Sequence, residues 1–220
     1  MKIAVFFSGR VVSDKLVEHM TTIKNWPDHE FVFFSSQNAA VATEESTESM
    51  KSILSMTDEQ SSVEVTNIPD WMFSCRQPYL WSQFYHNKKC MDMILAYQEQ
   101  HRVSFDIVMK YRPDVQWCTP VPFETPQENT LYIPSDGDCK GGLNDMFAYG
   151  DVPSMIQYCS LIDYIYEYHF IKGVLLHPET LLGVHIRSQP GLQVSRFSYD
   201  FGGNLLSSRG QSWSWNKKLN

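Results

Sequence analysis

The chain lacks the features that mark several common ligand and membrane chemistries. Its five cysteines, Cys75, Cys90, Cys118, Cys139 and Cys159, are scattered, odd in number and never spaced Cys-x-x-Cys. That excludes a disulfide framework or zinc ribbon as the organising device and points to a reducing compartment, the cytoplasm. No long basic run offsets the net charge of -7, so nucleic acid is not the expected partner. No apolar stretch has the length of a membrane span. The opening Met1-Lys-Ile-Ala-Val-Phe-Phe7 is cut off by Ser8-Gly9-Arg10 and is too short for a signal-peptide core. Nucleotide loops of the Walker type and the Gly-x-Gly-x-x-Gly type are both missing. Asp200-Phe-Gly202 has a kinase spelling, but no His-Arg-Asp loop or kinase glycine loop accompanies it.

What is present is an ordinary globular composition, 43% hydrophobic and 20% charged over 220 residues, enough for one domain with a sizeable core. Strand and helix patterns alternate. Residues 2–7 form an apolar strand, and Ser13 can cap a helix carrying Leu16, Val17, Met20 and Ile23. Glu30–Phe34 and Val63–Thr66 are short strands, separated by a polar excursion with one weak helical segment at Met50–Met56. A long helix is expected from Trp81 to His101, then strands at Phe105–Tyr111, Thr130–Ile133 and Asp145–Tyr149. One amphipathic helix should run from Pro153 to Phe170, with Cys159, like Cys90 before it, serving as a small core residue. Another helix opens at His177-Pro178-Glu179, because proline suits a first helical position, and Gln193–Phe197 is a last strand. The alternation predicts an α/β fold, a mainly parallel mixed sheet with helices on both faces. Residues 1–200 form that domain, and the Gly- and Ser-rich 201–220 a tail, lid or linker.

Four constellations can carry chemistry. At Phe105–Trp117 an apolar strand ends at Pro113, which sets Arg112, Asp114 and Gln116 at the carboxyl end of a central strand. A guanidinium beside a carboxylate suits a diphosphate and its divalent cation, and suits equally a strand-end turn with a surface ion pair. Asp136-Gly-Asp138 has a more literal Asp-x-Asp spelling, but in a glycine-rich loop where aspartates also serve as turn formers, so Asp114 is the favoured metal residue. Ser8-Gly9-Arg10 follows the first strand; Gly9 permits a close turn and Arg10 can meet a phosphate or base edge, or the segment is a plain turn. Asn144-Asp145 sits between two glycines and an apolar strand, where Asp145 can accept a proton from an attacking hydroxyl or merely cap a turn. His177, at a helix start, could reach a metal or diphosphate, with His185 as the competing ligand.

In order and spacing these four pieces resemble the nucleotide-sugar-dependent glycosyltransferases of the GT-A fold. The likeness is to small cytosolic members from large DNA viruses of algae and from bacterial surface-polysaccharide clusters, over roughly residues 1–200. The resemblance implies one GT-A-like domain that binds a nucleoside-diphosphate sugar, UDP-linked for preference, together with Mn²⁺ or Mg²⁺. It implies that Ser8, Gly9 and Arg10 line the nucleotide site and that Arg112 faces the diphosphate. Asp114 would take the place of the Asp-x-Asp metal motif, with Gln116 where a second acid is usual. His177 would be a carboxyl-terminal metal ligand and Asp145 the catalytic base. The expected activity is an inverting glycosyl (hexosyl) transfer to a hydroxyl of a glycan or glycoprotein, in the cytoplasm, or the host cytoplasm if the chain is viral. The alternatives are a metal-dependent nucleotide-sugar hydrolase and a non-catalytic nucleotide- or sugar-binding module.

Overall fold

The computed structural model describes residues 1–8, 29–38, 62–66, 69, 72, 77–112, 125–198, 205–206 and 212–213. Gly9, Arg10, Asp114 and Gln116 lie outside the described residues, as do the helix expected from Ser13 and the segment Met50–Met56.

Seven strands, β1 (Lys2–Ser8), β2 (Glu30–Asn38), β3 (Ser62–Thr66), β4 (Ile107–Tyr111), β5 (Thr130–Pro134), β6 (Phe147–Gly150) and β7 (Gln193–Phe197), form one sheet in the order β3-β2-β1-β4-β6-β5-β7. The fold is α/β. All pairings are parallel except those of β6, which runs antiparallel to β4 and β5. Residues 3–8 of β1 and all of β4 are buried, the signature of parallel strands covered on both faces. Within the tail, β8 (Leu205–Leu206) and β9 (Ser212–Trp213) pair as a separate antiparallel ladder.

The winding order fixes where a ligand can sit. The chain steps outward from β1 to β2 to β3, then returns through helix α1 (Pro78–His101) to lay β4 on the other side of β1. β2 lies on one side of β1 and β5 on the far side of β4, so their carboxyl ends form the topological switch point at which open α/β sheets hold ligands. α1 begins on Pro78 and is closed by Arg102 in the left-handed conformation (φ 53°), whose N–H bonds to Gln98 O. Leu80, Phe84, Asn87, Met91 and Ile94 recur at helical spacing on its buried face, which packs on β1 and β2.

The single helix expected over Pro153–Phe170 is instead three pieces. Helix α2 (Val152–Cys159) is capped by the Asp151 carboxylate at Ser154 N–H (2.9 Å); a 3₁₀ turn (Ser160–Asp163) and a π turn (Glu167–Ile171) follow. The break has a local cause. Ser160 Oγ bonds back to Gln157 O at 2.8 Å, competing with the helical ladder, and Asp163 is drawn aside to Lys88. Cys90 and Cys159 are buried as expected, and with Cys139 they are free thiols.

The loop joining β5 to β6 is pinned to helix α3 (Pro178–Ser188). Leu143 N–H bonds to Glu179 O at 2.9 Å, and Gly142 lies so close that an added Cβ would sit 1.9 Å from that oxygen. Gly183 returns the close approach from α3, its own Cβ position being 2.9 Å from Gly142 Cα. Gly142→Ala should therefore destabilise by about 1–3 kcal/mol or more through backbone displacement. Gly141→Ala, with φ +72° but open space around it, should lose only about 1 kcal/mol to backbone strain. Urea midpoints of the two variants check this; equal midpoints would contradict it.

Candidate functional site

The β1–β4 switch point is organised around one carboxylate. Asp145 is only 1% exposed, on the last stretch of loop before β6, level with the end of β4. Burying an ionised carboxylate is costly unless it is paired and hydrogen-bonded. Here three elements supply the compensation. Gln83 Nε2, from α1, donates to Asp145 Oδ2 at 2.6 Å. Arg112, just past β4, places Nη1 3.4 Å from Oδ1. Lys110, inside β4 and wholly buried, donates through Nζ to the Asp145 backbone carbonyl. Burial alone would raise the Asp145 pKa, but Arg112, Lys110 and the Gln83 hydrogen bond outweigh it and hold the carboxyl below its ordinary range.

The loop that presents Asp145 is held by Asn144 and Asp138. Asn144 N–H donates to Asp138 Oδ1 (2.8 Å), its amide donates to Asp136 O (2.5 Å), and its side-chain oxygen accepts Met146 N–H (2.7 Å). Arg196 of β7 clamps the same Asp138 oxygen at 2.7 Å. Gly137, at φ +84°, makes the turn. Asp138 thus serves the turn-forming role weighed for it, and its carboxylate is occupied in building the scaffold beneath Asp145.

At the other wall stands the start of α3. His177 Nδ1 lies 3.0 Å from Glu179 Oε2. Burial, then the charge of Asp145, raises Glu179 from 4.5 to about 7 against the opposing pull of Arg112 and Lys110. Burial and Lys140 lower His177, with Asp145 acting in the other direction. Arg112, Asp145, His177 and Glu179 therefore share one electrostatic neighbourhood. Tyr158 of α2 belongs to it too: burial and Asp145 push its phenol well above its usual pKa.

Two other sequence-level candidates are turned elsewhere. Ser8, at the end of β1, is fully buried and its hydroxyl bonds to Asn87 of α1, so its side chain seals the helix–sheet contact. His185 is buried between α2 and the turns that follow it: Nε2 faces Gln157 O at 2.8 Å and Nδ1 faces the Tyr168 hydroxyl at 3.2 Å. Both ring nitrogens are engaged there, which removes it from competition with His177. Among the described residues no group of three His, Cys, Asp or Glu side chains is placed to hold a metal ion.

Sequence reasoning missed Gln83 and Lys110 as parts of the site, and placed Glu179 only as an acid suited to a helix start. Lys110 left a signal, a cation within an otherwise apolar strand. Gln83 left none, because only the fold brings α1 to the β5–β6 loop.

Over residues 50–182 the chain matches a family described as a domain of unknown function (DUF7796), and it belongs to that family. The match takes in α1, the whole Asp145 loop and the start of α3. No curated protein matches the chain.

The buried titratable groups make stability depend on pH in opposing senses. His86 of α1, whose Nδ1 lies 2.8 Å from Ser36 Oγ, is lowered by burial, and secondarily by Lys89, from 6.5 to about 4. Between pH 6.5 and 4 the unfolded chain takes up a proton that folded His86 refuses. Its contribution is therefore lost as pH falls, by about 3 kcal/mol at the full shift. Glu179 acts the other way: its folded form binds the proton first, so its contribution, complete below pH 4.5, is lost as pH rises through about 7. Urea midpoints followed from neutral to acid pH should fall less steeply in His86→Gln than in wild type and more steeply in Glu179→Gln. Superimposable profiles for wild type and His86→Gln would contradict the His86 assignment.

Proposed function

We propose that the chain is an inverting glycosyltransferase with a GT-A-like nucleotide-binding architecture. It would move a sugar from a nucleoside-diphosphate donor, UDP-linked for preference, to a hydroxyl of a glycan acceptor. The observation that carries the reading is Asp145, a charge-stabilised carboxylate beside Arg112 at the β1–β4 switch point, where doubly wound sheets take phosphate-bearing ligands. Arg112 is 26% exposed, so its guanidinium reaches both the carboxylate and solvent. A guanidinium so placed can bond a departing diphosphate as its charge develops.

The chemistry is a single displacement. The acceptor oxygen forms its bond to the anomeric carbon, the bond to the diphosphate oxygen breaks, and the leaving group keeps the electron pair. The acceptor proton passes to Asp145. A carboxylate held below its ordinary range is a weak base, so it acts late, once bonding to the anomeric carbon has made the hydroxyl acidic. Gln83 and Lys110 fix the carboxylate so that it waits in position. A bound divalent cation would supply further charge neutralisation for the diphosphate, with Asp114 and Gln116 as its ligands. His177, whose Nδ1 lies 3.0 Å from Glu179 Oε2, would be a further ligand.

Asp145→Asn should lower turnover by roughly 10²–10⁴ while donor affinity is kept. It also removes the negative charge that Arg112 and Lys110 stabilise, so a loss of about 1–3 kcal/mol in stability accompanies it, and kinetics belong at a temperature where the variant is folded. Full turnover in the folded variant would remove the base assignment. Calorimetric titration of UDP should show tighter binding with Mn²⁺ than without, and Asp114→Asn should erase that increment. Erasure by Asp136→Asn or Asp138→Asn instead would relocate the metal.

A further inference from the structure

A concave site lies on α1, apart from Asp145. It is a groove of about 620 Å³ between α1 and the 3₁₀ turn that follows α2. Trp81, Tyr85, Lys88 and Asp92 face it at helical spacing from one side of α1, whereas Gln83 leaves the helix on the opposite side to reach Asp145. Trp81, fully buried, closes the floor, and the rings of Tyr85 and Tyr166 form the rim. Tyr166 is 61% exposed and packs on Phe170 (ring centroids 5.0 Å apart), so the aromatic surface continues beyond the groove along the π turn.

The charges in the groove select its occupant. Lys88 is paired to Asp163 at 2.7 Å, Lys89 lies 5.9 Å from the Tyr85 ring centre, and Asp92 completes the set. Among the described residues that line it, two cations and two carboxylates cancel. An anionic ligand would meet both carboxylates. An apolar peptide face would strip water from all four charges and return no hydrogen bonds. A neutral polyhydroxylated ligand meets neither obstacle: its C–H faces lie on the aromatic rings, and its hydroxyls both donate to carboxylates and accept from ammonium groups. A groove of this volume, with aromatic walls and a few placed polar groups, is suited to a small-molecule or short-chain ligand.

We infer that this groove binds a neutral oligosaccharide, holding the acceptor glycan at a distance from the site of transfer. The choice of a saccharide rests on the glycosyl-transfer reading above; the groove and its charge balance do not. Tyr85 and Tyr166 are the stacking platforms, and Lys88 and Asp163 address the hydroxyls.

The test is saturation-transfer NMR on the full chain, with no nucleotide present, against maltohexaose, cellohexaose, mannohexaose and xylohexaose. At least one should bind wild type and Asp145→Asn equally. Tyr85→Ala/Tyr166→Ala should weaken that binding about tenfold or more, the loss of two stacked rings, while Tyr166→Phe keeps it. Circular dichroism of the double variant shows that the fold is retained. No binding by any of the four sugars, or binding that survives the double variant, overturns the inference. So does a groove that instead joins two copies, seen as a dimer in sedimentation that the double variant breaks while no sugar binds. Sugar binding without any nucleotide-sugar binding would support the groove and remove the transferase reading; the reverse result would separate them the other way.

Discussion

One desolvated carboxylate organises this structure. Asp145 can stay ionised in the interior only because α1, β4 and the segment just past β4 each bring a group to it. Removing water from a carboxylate costs several kcal/mol, and only well-placed donors offset it. The requirement therefore couples the helix over one face of the sheet to the strand at its centre. The same requirement explains a wholly buried lysine in β4, where every neighbour in the strand is apolar. It also explains the number of bonds within the β5–β6 loop: Asn144, Asp138 and Arg196 hold the backbone so that the carboxylate arrives where its partners are.

The coarse fold was legible because parallel strands are continuous apolar runs and α1 carries a clear helical period. Phe105–Tyr111, Thr130–Ile133 and Gln193–Phe197 are all found as strands within a residue or two of their expected limits. The winding order was not legible, since no local pattern says that β4 returns to the far side of β1 or that β6 enters antiparallel. The helix expected at Pro153–Phe170 failed for a local reason. Its apolar period continues through the segment, but Ser160 bonds back to Gln157 O and Asp163 pairs with Lys88 of α1. Of the site, Arg112 and Asp145 were visible as charges at strand ends, and the structure brings them within 3.4 Å. Ser8 looked like a ligand residue because it follows the first strand. Its pairing with Asn87 depends on α1 crossing that strand, which is a property of the fold alone.

The two proposed sites use α1 in different ways. On one side it contributes Gln83 to the buried Asp145 carboxylate; on the other, it contributes Tyr85 and Lys88 to an open groove. On the proposed reading, a site that stabilises developing charge and a groove that holds a neutral chain meet complementary demands of glycosyl transfer. A single rigid helix between them would fix the distance from held chain to reacting hydroxyl.

The central claim, a single displacement assisted by Asp145, has a stereochemical consequence that no binding measurement carries. The most direct measurement is proton NMR of the glycoside formed from an α-linked nucleotide sugar and an oligosaccharide acceptor, reading the anomeric coupling of the new bond. One displacement assisted by one base predicts a β-linked product. An α-linked product, or release of free sugar with no transfer, would contradict the account.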